Sequence, residues 1–314
     1  MNPSLTPTWL CELLENPKIT DICINGDNRV FFDQGYGMEL KTLEPSLFWN
    51  EHSQKEWILE QLSRMGRTWD ARFPFADATL VSGHRLHVAF PPLAQPGILI
   101  SIRRLSTSSS QMESLPRWKN TPGYELLEKA VTQGESVLLA GATGSGKTTL
   151  ASELLGAVPK DERLILLEDT PELAPLHPHS VRLVSRPPNA DGFGEVSLRT
   201  LLKQVLRMRP DRVILGECRG AEVLELLQAL NTGHRGALAT LHANSSRDAL
   251  KRIELLCLLH AGGTIPLTAI RELIASGIQW IAHVKRHNAQ RVISEISKVE
   301  GREGDTILIR PMLN

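Results

Sequence analysis

Apolar and polar residues alternate in short runs over the first hundred residues of the chain. The segment from Ile19 to Phe32 alternates in this way around Asn25-Gly26-Asp27-Asn28, a pattern typical of two strands joined by a tight turn. Residues around Trp57 to Met65 have helical spacing, and Leu86 to Phe90 and Ile98 to Ile102 are apolar runs bounded by Gly and Pro. We therefore expect a small α+β domain over residues 1–105.

The composition changes after Arg104, where the sequence LSTSSSQMESLPRWKNTPG is rich in Ser, Pro and Gly and has little aliphatic periodicity. Such a segment is typical of a linker between domains. We place this linker over residues 106–122 and a second domain over residues 123–314.

Strands and helices alternate in the second domain. Strands are predicted at Ser136 to Ala140, Arg163 to Leu167, Val213 to Leu215 and Ala237 to Leu241, and helices at Tyr124 to Gln133, from Lys147 until Pro159, from a Ser197 cap until Pro210, and from Asp248 after Ser245 and Ser246. Strand, helix and strand in this order imply right-handed crossovers. The sheet is therefore expected to be parallel and covered on both faces.

The sequence GATGSGKT, from Gly141 to Thr148, matches the phosphate-binding pattern G-x-x-x-x-G-K-[ST] in full and lies between a predicted strand and a predicted helix. Its glycines let successive backbone N–H groups and the helix N-terminus face the β- and γ-phosphates of a nucleotide. Lys147 brings a cation to those oxygens, and the Thr148 hydroxyl can ligate Mg²⁺. We predict ATP and Mg²⁺ as ligands of this loop, which comprises Gly141, Ala142, Thr143, Gly144, Ser145, Gly146, Lys147, Thr148 and Thr149.

Acidic residues follow two of the predicted strands. Glu217 comes after Val213 to Leu215, at the strand end where ligands bind in parallel sheets, and we expect it to hold a Mg²⁺-bound water. Glu168 follows the strand RLILL and is assigned as the base that activates the attacking water. Glu172 is the alternative base, and Asp169 is a candidate cap of the Thr170-Pro171 turn.

His242 ends the apolar run in GHRGALATLHANSS, and this strand-end position makes it a candidate sensor of the γ-phosphate. Arg199, Lys203 and Arg207 recur every four residues on one predicted helix, which is typical of a solvated or salt-bridged face. In the first domain, the spacing of Arg85 and Arg103 alone indicates surface charges.

Composition excludes several classes of protein. Lys+Arg and Asp+Glu both total 35, so no overall positive field argues for nucleic acid as the principal partner. The longest apolar stretch near the C-terminus, Leu273 to Val284, is shorter than the roughly 20 residues that span a bilayer. The four cysteines are far apart and are expected to be reduced and mostly buried. We expect a cytoplasmic protein.

The segment from Val181 to Glu254 closely resembles the secretion ATPase superfamily, which drives type II and type IV secretion and pilus assembly. The RPPN, LRMRPDRV, GECRG, LQALNTGH and TLHAN blocks carry this resemblance, and they are most similar to those of the tight-adherence (Flp-type) pilus assembly ATPase. LEDTPEL resembles the acidic "Asp box" of the family, GECRG its Walker B motif and GALATLHAN its His box. Similarity extends over nearly the whole chain from about Ile19.

The resemblance implies an α/β fold, with a RecA-like P-loop NTPase domain preceded by the small α+β domain. It also implies a homo-hexameric ring with ATP sites between the two domains, and catalytic roles for Arg85 and Arg103 at the phosphates. The implied function is ATP hydrolysis that powers pilus assembly or secretion through an inner-membrane platform protein, with the chain at the cytoplasmic face of that membrane. The alternatives are a conjugation-type type IV secretion ATPase and a non-hydrolysing, nucleotide-gated scaffold.

Overall fold

The computed structural model describes residues 5–26, 28–35, 37–64, 69–104, 118–119, 121–188, 192–287 and 290–313. The chain forms two compact units: Met1–Thr107 with Pro187–Glu195, and Ser108–Arg186 with Val196–Asn314. Most of the predicted linker over residues 106–122 lies outside the described residues. Its described end belongs to the second unit, where Trp118 is buried and Thr121 caps the helix that follows.

The first unit contains a six-stranded antiparallel sheet in the order β3-β2-β1-β6-β5-β4. The strands are β1 (Asp21–Asn25), β2 (Arg29–Asp33), β3 (Met38–Lys41), β4 (Phe75–Thr79), β5 (Arg85–Ala89) and β6 (Leu99–Arg103), and the helices are α1 (Thr8–Glu15) and α2 (Glu51–Arg64). Alternate strand residues such as Ile22, Ile24 and Ile100 form one buried core with Trp9 and Trp57 of the helices. The predicted hairpin is confirmed, since β1 and β2 pair on either side of its turn.

The second unit contains an eight-stranded sheet in the order β14-β13-β12-β7-β11-β10-β8-β9. The strands are β7 (Val137–Gly141), β8 (Leu164–Glu168), β9 (Ser180–Val184), β10 (Arg212–Leu215), β11 (Leu238–Leu241), β12 (Trp280–His287), β13 (Gln290–Glu303) and β14 (Thr306–Leu313). The pairs from β12 to β9 are parallel, whereas β12–β13 and β13–β14 are antiparallel. The predicted parallel sheet is therefore present and has an antiparallel extension at one edge.

Both faces of this sheet are buried. Leu138 and Ala140 of β7 pack into one apolar cluster, while Val137 and Leu139 of the same strand pack into another. The covering helices are α3 (Pro122–Thr132), α4 (Lys147–Leu155), α5 (Leu198–Val205), α6 (Glu222–Asn231), α7 (Ser246–His260) and α8 (Leu267–Gly277). The strand-helix alternation of the sequence is confirmed, because strands buried on two faces consist of continuous apolar runs.

Several element boundaries differ from those predicted. Helix α4 ends at Leu155 rather than near Pro159, and α5 ends at Val205, because the chain turns before each proline. The side chain of Ser197 caps α5 as predicted, by accepting a hydrogen bond from the Thr200 N–H. Helix α7 begins at Ser246, two residues earlier than predicted, with Ser245 as its cap.

The apolar stretch Leu273 to Val284 is divided between the end of α8 and the start of β12. Among the described residues, helices fall short of the length and apolar character required to cross a bilayer. All four cysteines are free thiols; Cys218 and Cys257 are buried, while Cys11 and Cys23 are partly exposed.

Candidate functional site

The phosphate-binding loop connects β7 to α4. Gly141, Gly144 and Gly146 have positive φ angles of 154°, 72° and 101°, which only glycine adopts readily and which curl the chain into the helix N-terminus. The ammonium of Lys147 donates hydrogen bonds to the carbonyl oxygens of Gly141 and Ala142, at 2.9 Å each. The Lys147 side chain therefore reaches back across the loop, and its two hydrogen bonds stabilise the loop conformation.

Two carboxylates face this lysine. Burial lowers the pKa of Lys147, whereas the negative charges of Glu217 and Glu172 act in the opposite direction. These residues come from different segments of the chain, since Glu217 follows β10 and Glu172 follows β8. The structure thus brings acidic groups from two neighbouring strand ends to the phosphate-binding loop.

Glu168, the predicted base, is engaged by protein groups at both of its oxygens. The carboxylate is 2% exposed, and Oε1 accepts hydrogen bonds from the backbone N–H groups of Glu172 and Leu173, at 2.8 Å each. Oε2 accepts one from Nε of Arg182 at 2.6 Å. This set of donors suits a carboxylate that holds the 168–173 segment in shape, and it leaves little of Glu168 for an attacking water.

The space beside Glu168 depends on Gly216. A Cβ atom at residue 216 would lie 2.8 Å from Cγ of Glu168 and 3.3 Å from the Leu167 carbonyl oxygen. A side chain at position 216 would therefore collide with the stem of the glutamate. The absence of a side chain at Gly216 leaves room for the Glu168 side chain beside the end of β10.

Glu172 is the carboxylate that contacts the metal-ligand candidate of the loop. Its Oε2 lies 3.4 Å from the Thr148 hydroxyl, which donates to it. Since Glu172 is only partly buried, it remains accessible to solvent and ligand. Of these two carboxylates, Glu172 is therefore the more accessible, and the identity of the base stays a prediction.

Glu217 forms a compact charged group with Arg219 and His242. Arg219 lies 2.6 Å from Oε2 of Glu217, and Nε2 of His242 lies 3.0 Å from Oε1. Burial raises the pKa of Glu217, but the hydrogen bond from Arg219 and the charges of Arg219 and Lys147 outweigh it and bring the pKa below its usual range. Glu217 is therefore an ionised carboxylate.

His242 is neutral in this group near pH 7. Burial and the charge of Lys147 lower its pKa, and these effects exceed the opposing one of Glu217. We therefore interpret its contact with Glu217 as a hydrogen bond that the neutral imidazole donates. A neutral imidazole beside the phosphate-binding loop fits the predicted role as a γ-phosphate sensor, because it can reorient its donor without changing charge.

The segment after His242 is attached to the hairpin of β12 and β13. Oε2 of Glu295 accepts a hydrogen bond from the backbone N–H of Ser246 at 3.1 Å. Nδ1 of His283 lies 2.8 Å from the Ser294 hydroxyl, and the same imidazole is hydrogen-bonded to the Ala243 backbone. The hairpin thus holds the loop that positions His242.

A hydroxyl and ionised carboxylates are the ligands that Mg²⁺ prefers, and it usually takes few of them from protein. Thr148 and Glu217 are a hydroxyl and an ionised carboxylate of this kind beside Lys147, and Glu172 accepts a hydrogen bond from the Thr148 hydroxyl. Within the described ranges, His, Cys, Asp and Glu do not form a cluster of three or more with the geometry of an all-protein metal cage. The donors fit a cation that also takes ligands from nucleotide and water.

Arg85 and Arg103 are directly opposed on β5 and β6 of the first unit. Nε of Arg103 lies 2.8 Å from Oδ1 of Asp21, and its side chain is 58% exposed. Arg85 is partly buried. Both residues lie on the sheet face opposite to the one that buries Ile102 and Leu86. Their catalytic role stays a prediction.

Two other expectations concern charged residues outside the loop. Arg199 and Lys203 both pair with Glu225, which confirms the salt-bridged helix face. The expectation for Asp169 was wrong: its carboxylate accepts a hydrogen bond from the Ser185 hydroxyl at 2.6 Å rather than capping the Thr170-Pro171 turn. The reason is that β9 runs beside β8 and presents Ser185 to the end of that strand.

Sequence reasoning missed Arg182, Arg219 and Glu295. Arg219 follows Glu217 by two residues in GECRG, and that spacing offered a signal. Arg182 and Glu295 lie on strands, β9 and β13, whose pairing places them beside Glu168 and Ser246. These contacts depend on which strands are neighbours in the sheet, and the sequence pattern alone does not give that order.

The model of the type II/IV secretion system protein family matches residues 10–301. A Mycobacterium tuberculosis protein, Rv3659c, named as a candidate conjugal transfer protein, is 38% identical over 97% of this chain and 88% of its own. The type IV secretion system protein PtlH of Bordetella pertussis is 30% identical over 93% of this chain and 92% of its own.

Solved structures show a corresponding similarity. The VirB11 ATPase of the Brucella suis type IV secretion system, solved with sulphate, is 28% identical, covers 92% of both chains and superimposes with a TM-score of 0.51. The pilus retraction motor PilT with bound ADP is 20% identical over 92% of this chain and 80% of its own, with a TM-score of 0.64, and shows the shared fold. With a family match over most of its length and relatives at this level of identity, the chain belongs to the type II/IV secretion system protein family.

Proposed function

We propose that this chain is an ATPase that powers a conjugation-type type IV secretion system. The observation that carries the proposal is the grouping of Glu172, Glu217 and His242 around Lys147 of a complete phosphate-binding loop. The secretion role draws on the relatives, whose names give conjugal transfer and type IV secretion. Pilus assembly, which the motif blocks of the sequence imply, is the second candidate.

In the proposed reaction, the loop from Gly141 to Thr149 binds the phosphates, and Lys147 leaves its carbonyl partners for the β- and γ-phosphate oxygens. Thr148 and Glu217 would hold Mg²⁺, which when bound would offset the charge that develops on those oxygens. Glu172 orients the water that attacks the γ-phosphorus and accepts its proton, while the bond to the β–γ bridging oxygen breaks and ADP leaves.

Other residues complete this scheme. His242 donates to the γ-phosphate in exchange for Glu217, and Arg85 and Arg103 supply further positive charge. Glu168 holds the 168–173 segment that bears Glu172. We also propose a homo-hexamer that acts on an inner-membrane platform protein from the cytoplasmic face, with no direct contact to nucleic acid.

Replacement of the loop lysine tests the enzymatic part. Lys147→Ala is expected to lower phosphate release by at least about 100-fold, because it removes the cation at the β/γ-phosphates. The exposed Lys160→Ala variant is the matched control and should keep full activity. Unchanged release by a folded Lys147→Ala protein would contradict the assignment. A wild-type protein that binds ATP without releasing phosphate would instead be a scaffold.

The biological role needs a test in cells. A strain that carries Lys147→Ala in place of the native chain is expected to lose type IV secretion while keeping its surface pili. Loss of pili with normal secretion would favour pilus assembly instead.

A further inference from the structure

Arg291 lies against the phosphate-binding loop, although it comes from the far C-terminal part of the chain. A Cβ atom built on Gly146 would be 2.7 Å from Cδ of Arg291, 3.4 Å from its Nε and 3.5 Å from Cζ2 of Trp118. Gly146 immediately precedes α4. The arginine side chain therefore packs against the backbone where the loop ends and the helix begins. The absence of a side chain at position 146 is what allows this approach.

Arg291 is a cation without a protein anion in the described part of the chain. None of the carboxylates there forms an ion pair with it, and its charged neighbour is another cation, Arg286. The side chain is half-buried, and burial lowers its pKa. A guanidinium that is partly removed from water and faces a like charge is costly unless an anion compensates for it.

Other cations of the same hairpin are more exposed to water than Arg291. Lys285 and Arg286 lie on β12 with exposed side chains, so water can solvate their charge. Arg291 is the cation whose stem packs on the loop that binds phosphate. Its position at the N-terminus of α4 adds to the positive potential that the helix dipole and loop N–H groups already provide.

We propose that Arg291 binds the phosphate chain of the nucleotide held by the loop Gly141–Thr149, as a second cation in addition to Lys147. The inference rests on the proposed nucleotide binding and adds a residue from the β12–β13 hairpin to it. Guanidinium groups suit this role because they donate two parallel hydrogen bonds to phosphate oxygens. The C-terminal hairpin would then sense whether phosphate is present.

The alternative is that Arg291 only fills space over Gly146, and three substitutions in the full-length protein separate the two roles. Arg291→Gln keeps most of the stem and removes the charge, Arg291→Lys keeps the charge, and Arg291→Ala removes both. The probes are ADP and inorganic tripolyphosphate, with binding measured by calorimetry. Lys285→Ala, from the same hairpin, is the matched control.

We expect Arg291→Gln and Arg291→Ala to weaken the binding of both probes by about tenfold or more, since a hydrogen bond to a charged group contributes on this order. Arg291→Lys should recover much of that affinity, and Lys285→Ala should bind as wild type does. Wild-type affinity in Arg291→Gln, or weaker binding of ADP with unchanged binding of tripolyphosphate, would overturn the inference. If the wild-type protein binds neither probe, the proposed nucleotide binding itself fails, so the two failures are distinguishable.

Discussion

Glu168 and Glu172 are four residues apart in the same acidic segment, but their surroundings differ. The buried carboxylate of Glu168 accepts three hydrogen bonds from Arg182 and two backbone N–H groups. That of Glu172 is partly exposed and contacts the Thr148 hydroxyl. Sequence spacing made Glu168 the first choice because it directly follows a strand. The partners of a carboxylate are set by tertiary contacts, so spacing alone could not rank the two.

Substitution by glutamine separates these roles. Glu172→Gln should bind ATP nearly normally and hydrolyse it at least about 100-fold more slowly, as expected when a general base is lost. Glu168→Gln should instead lower the free energy of unfolding by about 1–3 kcal/mol, because it weakens hydrogen bonds to a buried charge. Phosphate release and chemical denaturation measure the two effects. A Glu172→Gln enzyme with full activity would return the role of base to Glu168.

At the scale of elements, the sequence predicts the strand-loop-helix unit around the phosphate-binding loop well. Each of its parts has a local signal: a continuous apolar strand, glycines where φ is positive, and a helix that begins at Lys147. The hairpin of β12 and β13 has no comparable local signal. The run from Leu273 to Val284 is apolar throughout, and such a run fits either a helix or a buried strand.

His283 of the β12–β13 hairpin is expected to make the folding stability depend on pH. Burial lowers the pKa of this histidine, as do the charges of Lys285 and Lys147, and these effects exceed those of Glu295 and the Ala243 backbone. The folded state therefore binds the proton less well than the unfolded state does. Stability should be greatest above the unfolded pKa of about 6.5 and decline as the pH falls through the lower folded value.

Denaturant unfolding between pH 8 and pH 5 checks this expectation. His283→Gln is expected to reduce the decline in midpoint below about pH 6.5, because glutamine does not titrate in this range, while His242 and His84, whose pKa values burial also lowers, keep their share. His52→Gln, at an exposed position of the first unit, is the control and should leave the slope unchanged. An equal slope in wild type and His283→Gln would show that other groups cause the acid sensitivity.

At the scale of the whole molecule, the division into two units has a sequence basis only in part. The change in composition near Arg104 leads to a predicted first domain over residues 1–105, whereas the compact unit comprises Met1–Thr107 and Pro187–Glu195. This segment is far along the sequence from the rest of the unit. A linear scan of composition has no means of assigning it.

The proposed assembly predicts that activity depends on protein concentration. If the phosphates receive positive charge from Arg85 and Arg103 only in the assembled protein, turnover per chain should rise as the hexamer forms. Arg103→Ala should lower turnover more than it weakens ATP binding, since such charge can contribute about 10³-fold in rate. Sedimentation beside the ATPase assay provides the measurement. A monomer with full, concentration-independent turnover would contradict the expectation.

The close approach of Gly216 and Glu168 couples the effects of substitutions at these two positions. Gly216→Ala alone is expected to destabilise the protein by about 1–3 kcal/mol through overpacking. In a Glu168→Ala background the same substitution should cost much less, because the stem it would strike is gone. A double-mutant cycle therefore measures the free energy of coupling between the two positions. Among descendants of this chain, residue 216 can acquire a side chain at low cost only after residue 168 has become smaller, so substitution history at the two sites should run in that order.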